Sequence, residues 1–301
     1  MFPVYPLKVN CLAIIGLLTF LQLTLDSQSQ LLINVQNQGG EVVQETITSN
    51  VSDDLITLEF QRTDGTLITQ LIDFRNEVRI LKALVLGEEE RGQSQYQVMC
   101  FVTKFTKGDF LSADAVAKLR QKNPSTIRTP EEDKGKESFT MTAWVNLNRS
   151  APITRHLAGL CSEAADATYV RDVDLKAWAE LPGSSMSSLE SAIHQFPVQS
   201  VGPVPVAVPA ASSTSAPVLP AATPSCPRCN EVSNLRMPCF CALEMCVGWY
   251  PCGLKYCKGD RTDQSANGQN SQNYKCGIKT CRKCSQFIYY VRQKQHCLWD
   301  E

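Results

Sequence analysis

The chain has 301 residues, which is long enough for two domains, and its 29 basic and 30 acidic residues almost cancel. This balance gives no sign of a nucleic-acid partner, and we expect none. The exceptional feature is cysteine: eleven of the fourteen fall between Cys226 and Cys297. That density, about one residue in seven, is typical of a disulfide scaffold, which small domains use when their core is too small and which persists only in oxidising compartments.

The N-terminus has the pattern of a secretory signal. Lys8 precedes a largely apolar run from Cys11 to Leu25, and polar residues with small side chains follow at 26–30. A membrane anchor is the alternative, but this run is shorter than the roughly 20 residues that span a bilayer. No later segment is apolar enough to span. We therefore predict a signal peptide over residues 1–27 and a secreted, extracellular protein.

Residues 31 to about 105 are predicted to form strands. Two β-prone segments, 31–35 and 41–47, flank Gly39-Gly40, which is a hairpin turn signal. Residues 79–86 could equally be helical, because short apolar runs are ambiguous by periodicity. The further predicted strands are 55–60, 66–74, 78–86 and 96–105, with turns at 64–65 and 88–92.

The clearest helix is predicted from Leu111 to Asn123. Ser112 can cap its start, and Pro124 ends it. Residues 124–137 are polar and charged, so a mobile loop is predicted there.

Two later segments show periodic patterns. Residues 139–146 alternate between apolar and polar or exposed positions, which favours a half-buried strand. Residues 156 to about 180 have a helical pattern. The side chains on one side of this predicted helix are Leu157, Cys161, Ala164 and Thr168.

A linker is predicted between the two cysteine-containing regions. Residues 197–225 contain no charge and no aromatic residue, only proline, valine, alanine, serine, threonine and a few others. Such a segment cannot bury enough apolar surface to fold and is typical of a semi-rigid spacer. We predict one domain over residues 30–182 and a cysteine-rich domain over 226–301.

The two regions carry opposite charge. Residues 27–197 contain 17 basic and 23 acidic residues, a net of −6, whereas residues 226–301 contain 11 and 6, a net of +5. Opposite signs could favour docking between the regions or a polyanion site on the basic one. Ordinary solvated surfaces are the simpler interpretation. Two sequons, at Asn50 and Asn148, are predicted glycosylation sites on the surface.

The sequence gives little support to an enzyme. Its three histidines, His156, His194 and His296, lie in no metal or nucleophile motif, and we expect no catalytic residue and no cofactor. The pairs Cys226-x-x-Cys229 and Cys281-x-x-Cys284 suggest zinc, but about fifty residues separate them and six other cysteines intervene. Disulfides are therefore favoured over a metal, and a redox site lacks the strand-to-helix context.

Part of the first region resembles a BRICHOS domain. The segments Leu71–Phe74, Val78–Leu86 and Cys100–Phe105 follow the order of that family, in which an aspartate in one strand precedes a Cys-aromatic-aliphatic-x-Lys strand. The resemblance covers residues 30–182. It implies an α+β fold with an antiparallel sheet and two helices, with Asp73 as the family's acidic residue and a second cysteine, Cys161, in a late helix.

The whole chain resembles the out at first family more closely. The resemblance implies a secreted animal protein without known enzymatic activity. The linker is longer than the family's connection, and extra cysteines among Cys226, Cys246 and Cys284 depart from its pattern. The strings that carry the resemblance are Gly92–Tyr96, Ala117–Pro124, Trp249–Cys252, Leu254–Cys257, Tyr274–Ile278 and Cys297–Glu301.

The cysteines of the mature chain divide into three groups. We predict that Cys100 pairs with Cys161, because they are the only cysteines of the first domain and both fall on apolar faces; the bond should stabilise by roughly 4 kcal/mol. Cys226, beside the linker, is predicted to be an exposed odd thiol, either bridging a homodimer or capped. The remaining disulfide cysteines, whose pairing is left open, are Cys229, Cys239, Cys241, Cys246, Cys252, Cys257, Cys276, Cys281, Cys284 and Cys297.

These features predict a secreted, non-enzymatic interaction protein that acts in development or extracellular signalling and binds an extracellular protein or receptor. The alternative is a BRICHOS-type chaperone of β-prone segments, with the cysteine-rich region as its client in cis. Asp73, flanked by apolar residues in a strand, is predicted to be partly desolvated and to act as a pH-sensitive switch of domain packing. An ordinary surface aspartate is the simpler alternative.

Overall fold

The computed structural model describes residues 29–87, 96–164, 166–197, 226–258 and 273–298. The predicted signal peptide, the predicted turn at 88–92 and all but the first residue of the predicted linker lie outside these ranges. In the described residues the chain is rich in β-structure and has few, short helices.

The strands and helices of the described residues are numbered in chain order. The first six strands are β1 Ser29–Gln36, β2 Val42–Asn50, β3 Leu55–Gln61, β4 Leu67–Asp73, β5 Val78–Leu86 and β6 Tyr96–Lys104. Five shorter or isolated strands are β7 Ile127–Arg128, β8 Glu132–Thr140, β9 Ala143–Val145, β10 Thr168–Val170 and β11 Ile193–Gln195. The C-terminal strands are β12 Cys239–Lys258 and β13 Asn273–Val291. The helices are α1 Ala113–Ala117, α2 Leu157–Leu160, α3 Asp172–Ala179 and α4 Met186–Glu190.

Ten strands form one large sheet in the order β11-β9-β10-β6-β5-β4-β3-β2-β1-β7. The run from β1 to β6 is an antiparallel meander, and β10 and β7 join its two ends in parallel. The predicted hairpin around Gly39-Gly40 and the other predicted strands of residues 31–105 are confirmed. Residues 79–86 are strand and not helix.

The central strands of this sheet are buried on both faces. On β6, Met99 and Phe101 belong to one core cluster, while Val98, Cys100 and Val102 belong to a second one. Alternating side chains of a strand point to opposite faces, so each cluster lies on one side of the sheet. We call the Met99 and Phe101 side the inner face and the other side the outer face.

The outer face is covered by the short helices. The core there includes Leu157 of α2, Leu175 and Trp178 of α3 and Leu189 of α4. The Trp178 Nε1 donates a hydrogen bond to the Glu77 carbonyl oxygen, 3.1 Å away. This layer therefore closes one side of the sheet with elements of the first region alone.

The inner face is covered by the C-terminal strands. β12 and β13 pair antiparallel as a long hairpin, and β8 joins the outer edge of β13 in parallel, giving a three-stranded sheet in the order β12-β13-β8. Its apolar side chains, such as Phe287 and Tyr289, share one core cluster with Phe101 of the large sheet. The cysteine-rich region is thus packed into the same core as the first region.

The structure does not confirm the BRICHOS-like architecture. The resemblance implied an antiparallel sheet with two helices, whereas the described residues form a ten-stranded and a three-stranded sheet with four short α-helices. The longest helix, α3, has eight residues. The coarser expectation, a sheet-rich fold with helices and a disulfide-rich C-terminal region, is confirmed.

The helix predicted from Leu111 to Asn123 is wrong in its length. Ser112 caps it as expected, accepting a hydrogen bond from the Ala115 N–H, but α1 ends at Ala117. The chain then turns towards β1, where the Gln121 side chain bonds the backbone N–H and C=O of Leu32. Those bonds to a strand edge replace the further helical turns.

The mobile loop predicted at residues 124–137 is also wrong. β7 and most of β8 lie there, and β8 pairs with β13 from Cys281 to Ile288. β8 is mostly exposed and charged, so its sequence lacks the apolar periodicity of a buried strand. Backbone pairing to a segment about 150 residues away determines its conformation.

The helix predicted over residues 156–180 is interrupted. α2 and α3 form at its ends, but β10 lies between them and pairs with β6 and β9. All three residues of β10 are buried, and Thr168 and Val170 are β-branched, which favours a strand. Phe139, Met141, Ala143 and Val145, predicted to alternate in a strand, are all buried on β8, on β9 or between them.

Candidate functional site

The contact between the inner face of the large sheet and the β12–β13 hairpin is the candidate functional region, and we call it the seam. Aromatic rings fill its centre. The Phe101 ring stacks on Phe287 with centroids 4.3 Å apart and meets Tyr289 edge-on at 5.2 Å. Phe287 also stacks on Phe139 of β8 at 5.3 Å. Since buried aromatic pairs contribute more than their area alone, this cluster fixes the hairpin on the sheet.

Disulfides hold each side of the seam separately. Cys100 of β6 is bonded to Cys161 just after α2, with S–S 2.07 Å, and both residues are fully buried on the outer face. The other bonds all lie within the C-terminal region. They are Cys229–Cys239, Cys241–Cys297, Cys246–Cys284, Cys252–Cys281 and Cys257–Cys276. Among the described cysteines, none is bonded across the seam.

Ion pairs also join the first region to the hairpin beside the seam, where β8 lies along β13. In four of the five pairs an acidic residue of the β8 segment faces a basic residue of the hairpin, as the docking interpretation of the charge pattern expects, and in the fifth the signs are reversed. The polyanion site on the basic region stays a prediction. The five pairs are Lys136–Glu244 (3.0 Å), Arg282–Asp133 (2.8 Å), Lys283–Glu137 (2.8 Å), Lys255–Glu131 and Lys279–Glu132. All are partly exposed, so each adds little stability alone.

A small chamber of about 240 Å³ lies at one end of the seam. The guanidinium groups of Arg79 and Arg171 both lie over the Phe139 ring, 5.0 and 4.6 Å from its centroid. Arg171 forms a two-bond ion pair with Asp174, whereas Arg79 donates a hydrogen bond to the Thr103 hydroxyl, 3.2 Å away. Burial lowers the pKa of Arg79, partly offset by the charge of Glu137.

Glu45 lies at the other end, on the inner face of β2. Its side chain is in phase with core residue Ile47, and the residue is only 2% exposed. Its Oε1 accepts hydrogen bonds from the Gly248 and Trp249 N–H groups at 2.9 and 3.3 Å. Burial raises the pKa of Glu45 to about 8, although these two backbone donors act in the opposite direction.

The two donors come from an irregular part of β12. The pairing of β12 with β13 shifts register between Val247 and Tyr250, so the Gly248 and Trp249 amides turn to Glu45 instead. A Cβ at position 248 would lie 2.9 Å from the Val35 Cγ1 and 3.2 Å from the Glu45 Oε1. Only glycine allows this approach of the hairpin to the sheet.

Asp73 lies at the end of β4 and is 1% exposed. Its carboxylate accepts four hydrogen bonds at 2.7–3.0 Å: from the Arg75 and Asn76 N–H groups, the Asn76 side-chain amide and the Thr154 hydroxyl. It therefore joins the turn after β4 to the segment before α2. The expected burial is found, the simpler surface reading is wrong, and the pH-switch role stays a prediction.

Replacing Asp73 with asparagine should lower the free energy of unfolding by about 1–3 kcal/mol, because an amide NH₂ would face donors that have lost an acceptor. Chemical denaturation with disulfides intact measures this. Asp64→Asn is the matched control, since Asp64 also accepts a backbone N–H, from Thr66, in a more exposed turn. Equal effects of the two substitutions would contradict the assignment of Asp73.

The remaining cysteine, Cys226, is a free thiol, but the expectation that it is exposed is wrong. It is 7% exposed and packs with Phe240 and Tyr290, and burial raises its pKa. Phe196, at the other end of the predicted linker, contacts the same cluster, with its ring 5.5 Å from Tyr290. The two flanks of residues 198–225 are therefore held at one place.

This burial predicts slow alkylation of Cys226. A maleimide should modify native protein at least about tenfold more slowly than urea-unfolded protein, and the native protein should run as a monomer on non-reducing electrophoresis. Cys226→Ser provides the control for labelling elsewhere. A reduction-sensitive dimer that disappears in Cys226→Ser would contradict the buried placement.

The other predicted positions lie apart from the seam. Asn148 is exposed in the turn after β9, whereas Asn50 is half-buried and its side chain bonds Ser52 and Asp53. His156 precedes α2, His194 lies on β11 and His296 follows β13, so the three histidines sit on different elements. No helix in the described part of the chain is long and apolar enough to cross a bilayer.

Comparison with known proteins identifies the family. A family model described as Out at first matches residues 29–178, and one described as Out at first, C-terminal matches residues 228–301. The Out at first protein of Drosophila virilis is 70% identical over 279 residues, which cover 91% of this chain and 83% of that protein. This chain belongs to the Out at first family.

A second relative of the same name is longer. The Out at first protein of Drosophila melanogaster is 70% identical over 280 residues, which cover 91% of this chain and 52% of that protein. No solved structure matches the chain. The two family regions meet at the seam, since the first supplies β8 and all of the large sheet except β11, and the second supplies the hairpin.

The sequence interpretation missed the charged groups of the seam. Glu45 had a usable signal, because it occupies an inward position in a strand whose alternate residues Val43 and Ile47 are apolar. Arg79 occupies an inward position of β5 in the same way, in phase with Leu81. Arg171 had no such signal, because its contact with Phe139 depends on the pairing of distant strands.

Proposed function

We propose that this member of the Out at first family is secreted and acts outside the cell as a non-enzymatic interaction protein in development or extracellular signalling. The observation that carries the proposal is the disulfide pattern: every described cysteine except Cys226 is bonded. Such a set persists in an oxidising compartment. The apolar N-terminus and the exposed Asn148 sequon agree with this route.

The seam supports a binding role more than a catalytic one. Its centre is filled by aromatic side chains and ion pairs run beside it, which suits a rigid scaffold that displays surface to a partner. The three histidines lie on separate elements, and none of them lines the two cavities of the seam, of about 240 and 600 Å³.

Expression of the tagged full chain in animal cells tests secretion. We expect the protein in the medium, disulfide-bonded, with a mass that falls on N-glycosidase treatment. A chain lacking residues 1–27 should stay in the cell, and Asn148→Gln should lose one glycan while still being secreted. Retention of the full chain in the cytosol would contradict the proposal.

Binding to cells tests the interaction role. The secreted protein, fluorescently labelled, should bind the surface of embryonic cells saturably, and unlabelled protein should compete with it. Protein unfolded by reduction and alkylation is the control, because it has the same composition without the fold. Uptake or binding that is equal for both forms would contradict a specific partner.

Chaperoning in cis is the second candidate, and one observation favours it. The inner face of the large sheet covers a β-hairpin of the same chain. A sheet that assists the folding of its own hairpin would remain packed on it in this way. A chaperone that acts on other chains would need this face exposed. Because the hairpin already covers this face, the full chain at substoichiometric ratio should leave the fibrillation of a β-prone peptide unchanged, and slowed fibrillation would contradict chaperoning that acts in cis alone.

A further inference from the structure

A cavity of about 600 Å³ lies beside Glu45 at the seam. Its size is within the range of small-molecule sites. Apolar atoms of Val35, Val43 and Phe60 line its inner part, and the exposed turn residues Gln38 and Gly39 lie at its outer part. The cavity is therefore reachable from solvent and ends at a buried carboxyl group.

One oxygen of that carboxyl group has no partner. Glu45 Oε1 accepts two backbone N–H groups, but Oε2 is buried and makes no hydrogen bond to any described residue. A buried polar atom without a partner costs about 1–3 kcal/mol, so it is rare in a native structure and needs a cause. A bound group that donates a hydrogen bond to Oε2 would supply one.

The other charged side chains that line the cavity form ion pairs with residues other than Glu45. Arg282 pairs with Asp133 and also contacts the Cys246 sulfur, and Glu244 pairs with Lys136. Arg62 pairs with Asp64 at 3.4 Å. None of these pairs includes Glu45. With Glu45 ionised, the cavity is lined by three acidic and two basic residues, an excess of one negative charge.

We propose that this cavity binds a primary amine attached to an apolar group, with the ammonium on Glu45 Oε2 and the apolar group against Val35, Val43 and Phe60. An ammonium supplies the hydrogen-bond donor and the positive charge that the site lacks, and Coulomb attraction is strong where water is excluded.

Binding is coupled to a proton. Burial holds the pKa of Glu45 near 8 in the free protein, so its carboxyl group is mostly protonated at pH 7. The charged amine binds the carboxylate, and the carboxyl proton leaves to solvent. Amine binding at pH 7 should therefore release about 0.9 proton per site.

Two kinds of ligand carry a primary amine on an apolar group: a free amine and a lysine side chain of a partner protein. Titration calorimetry of the full secreted chain at pH 7 uses 2-phenylethylamine for the first and Nα-acetyl-lysine N-methylamide for the second. Measurement in phosphate and in HEPES gives the number of protons released. 2-Phenylethanol, which has the same apolar group but no charge, is the control ligand.

We expect one of the two amines to bind with proton release and 2-phenylethanol to bind at least about tenfold more weakly, since the neutral probe lacks the charge. Glu45→Gln should weaken amine binding by at least about tenfold and abolish the proton release. Glu244→Gln, in the same cavity but already paired, should change the affinity by less than about threefold. Thermal unfolding would establish that both variants are folded.

The proposal is overturned if neither amine binds at millimolar concentration, or if wild type and folded Glu45→Gln bind equally. Equal binding of the alcohol and the amine would also overturn it, because the site would then recognise only the apolar group. Binding of 2-phenylethylamine alone would assign a free amine as the ligand, and binding of the lysine derivative alone would assign a protein lysine.

Discussion

Replacing Phe101 with alanine should lower the free energy of unfolding by about 3–5 kcal/mol. Phe101 is fully buried at the centre of the seam and touches rings from both sides, Tyr169 of the large sheet and Phe287 and Tyr289 of the hairpin. The truncated side chain would leave a cavity that a core cross-linked by disulfides on both sides cannot readily close.

The decisive measurement is which backbone amides lose protection from hydrogen exchange. Hydrogen exchange should accelerate at the amides of β13, although the substitution lies on β6. Tyr96→Ala is the matched control, because Tyr96 is an aromatic residue of the same strand with 55% of its surface exposed, and it should change stability by less than about 1 kcal/mol. Unchanged exchange in β13 of the Phe101 variant would contradict a shared core.

Stability should fall as pH rises from about 5 to 8, and Glu45→Gln should remove most of this fall. In the unfolded chain Glu45 loses its proton near pH 4.5, whereas in the folded chain it keeps it to about pH 8. Between these values the folded state binds more protons, so each pH unit costs about 1.4 kcal/mol. At pH 7.4 the cost is roughly 4 kcal/mol as an upper limit.

Denaturation of wild type and Glu45→Gln at several pH values between 5 and 8 measures this slope. The variant should be the more stable protein at pH 7.4, because glutamine keeps an acceptor for Gly248 and Trp249 and carries no charge. Glu77, whose pKa is lowered by Lys104, titrates below this window and does not obscure the result. Parallel slopes for the two proteins would contradict a raised pKa of Glu45.

Much of the large sheet could be predicted from the sequence because its strands are local. β1 to β6 pair in the order in which they follow one another along the chain, and each β-prone run is long enough to indicate a strand. On β6 the unbroken apolar run from Val98 to Val102 also indicates burial on both faces. Which elements cover each face depends on residues that are distant in the sequence.

The parts that the sequence did not predict depend on long-range contacts. β8 is polar because one of its edges pairs with β13 while most of its side chains reach solvent, so its sequence resembles a loop. β10 is three residues long, too short to interrupt the helical periodicity around it. α1 is shortened because Gln121 bonds the edge of β1, a contact that no helix propensity contains.

The contacts between the two regions were the part of the site that the sequence predicted least. The opposite charges of the two regions were visible in the composition, but their partners were not, because the pairing of Glu131–Glu137 with the hairpin follows from the β8–β13 register. Gly248 had no signal of its own. Its need for glycine arises only when Val35 and Glu45 are brought against it by the fold.

The cysteine-rich hairpin is part of the core of the large sheet and is not a tethered module. Cleavage of the chain between the two regions is the sharpest test of this shared core. A site-specific protease sequence placed at residues 208–214 cuts between Phe196 and Cys226, and no bond among the described cysteines crosses that point. The fragments should therefore separate on a non-reducing denaturing gel.

Under native conditions the same fragments should elute together from gel filtration at the size of the intact chain and unfold in one transition. Aromatic packing, the β8–β13 ladder and the ion pairs beside the seam would hold them together without a covalent link. Elution as two separate folded fragments after cleavage would contradict a core shared by the hairpin and the large sheet.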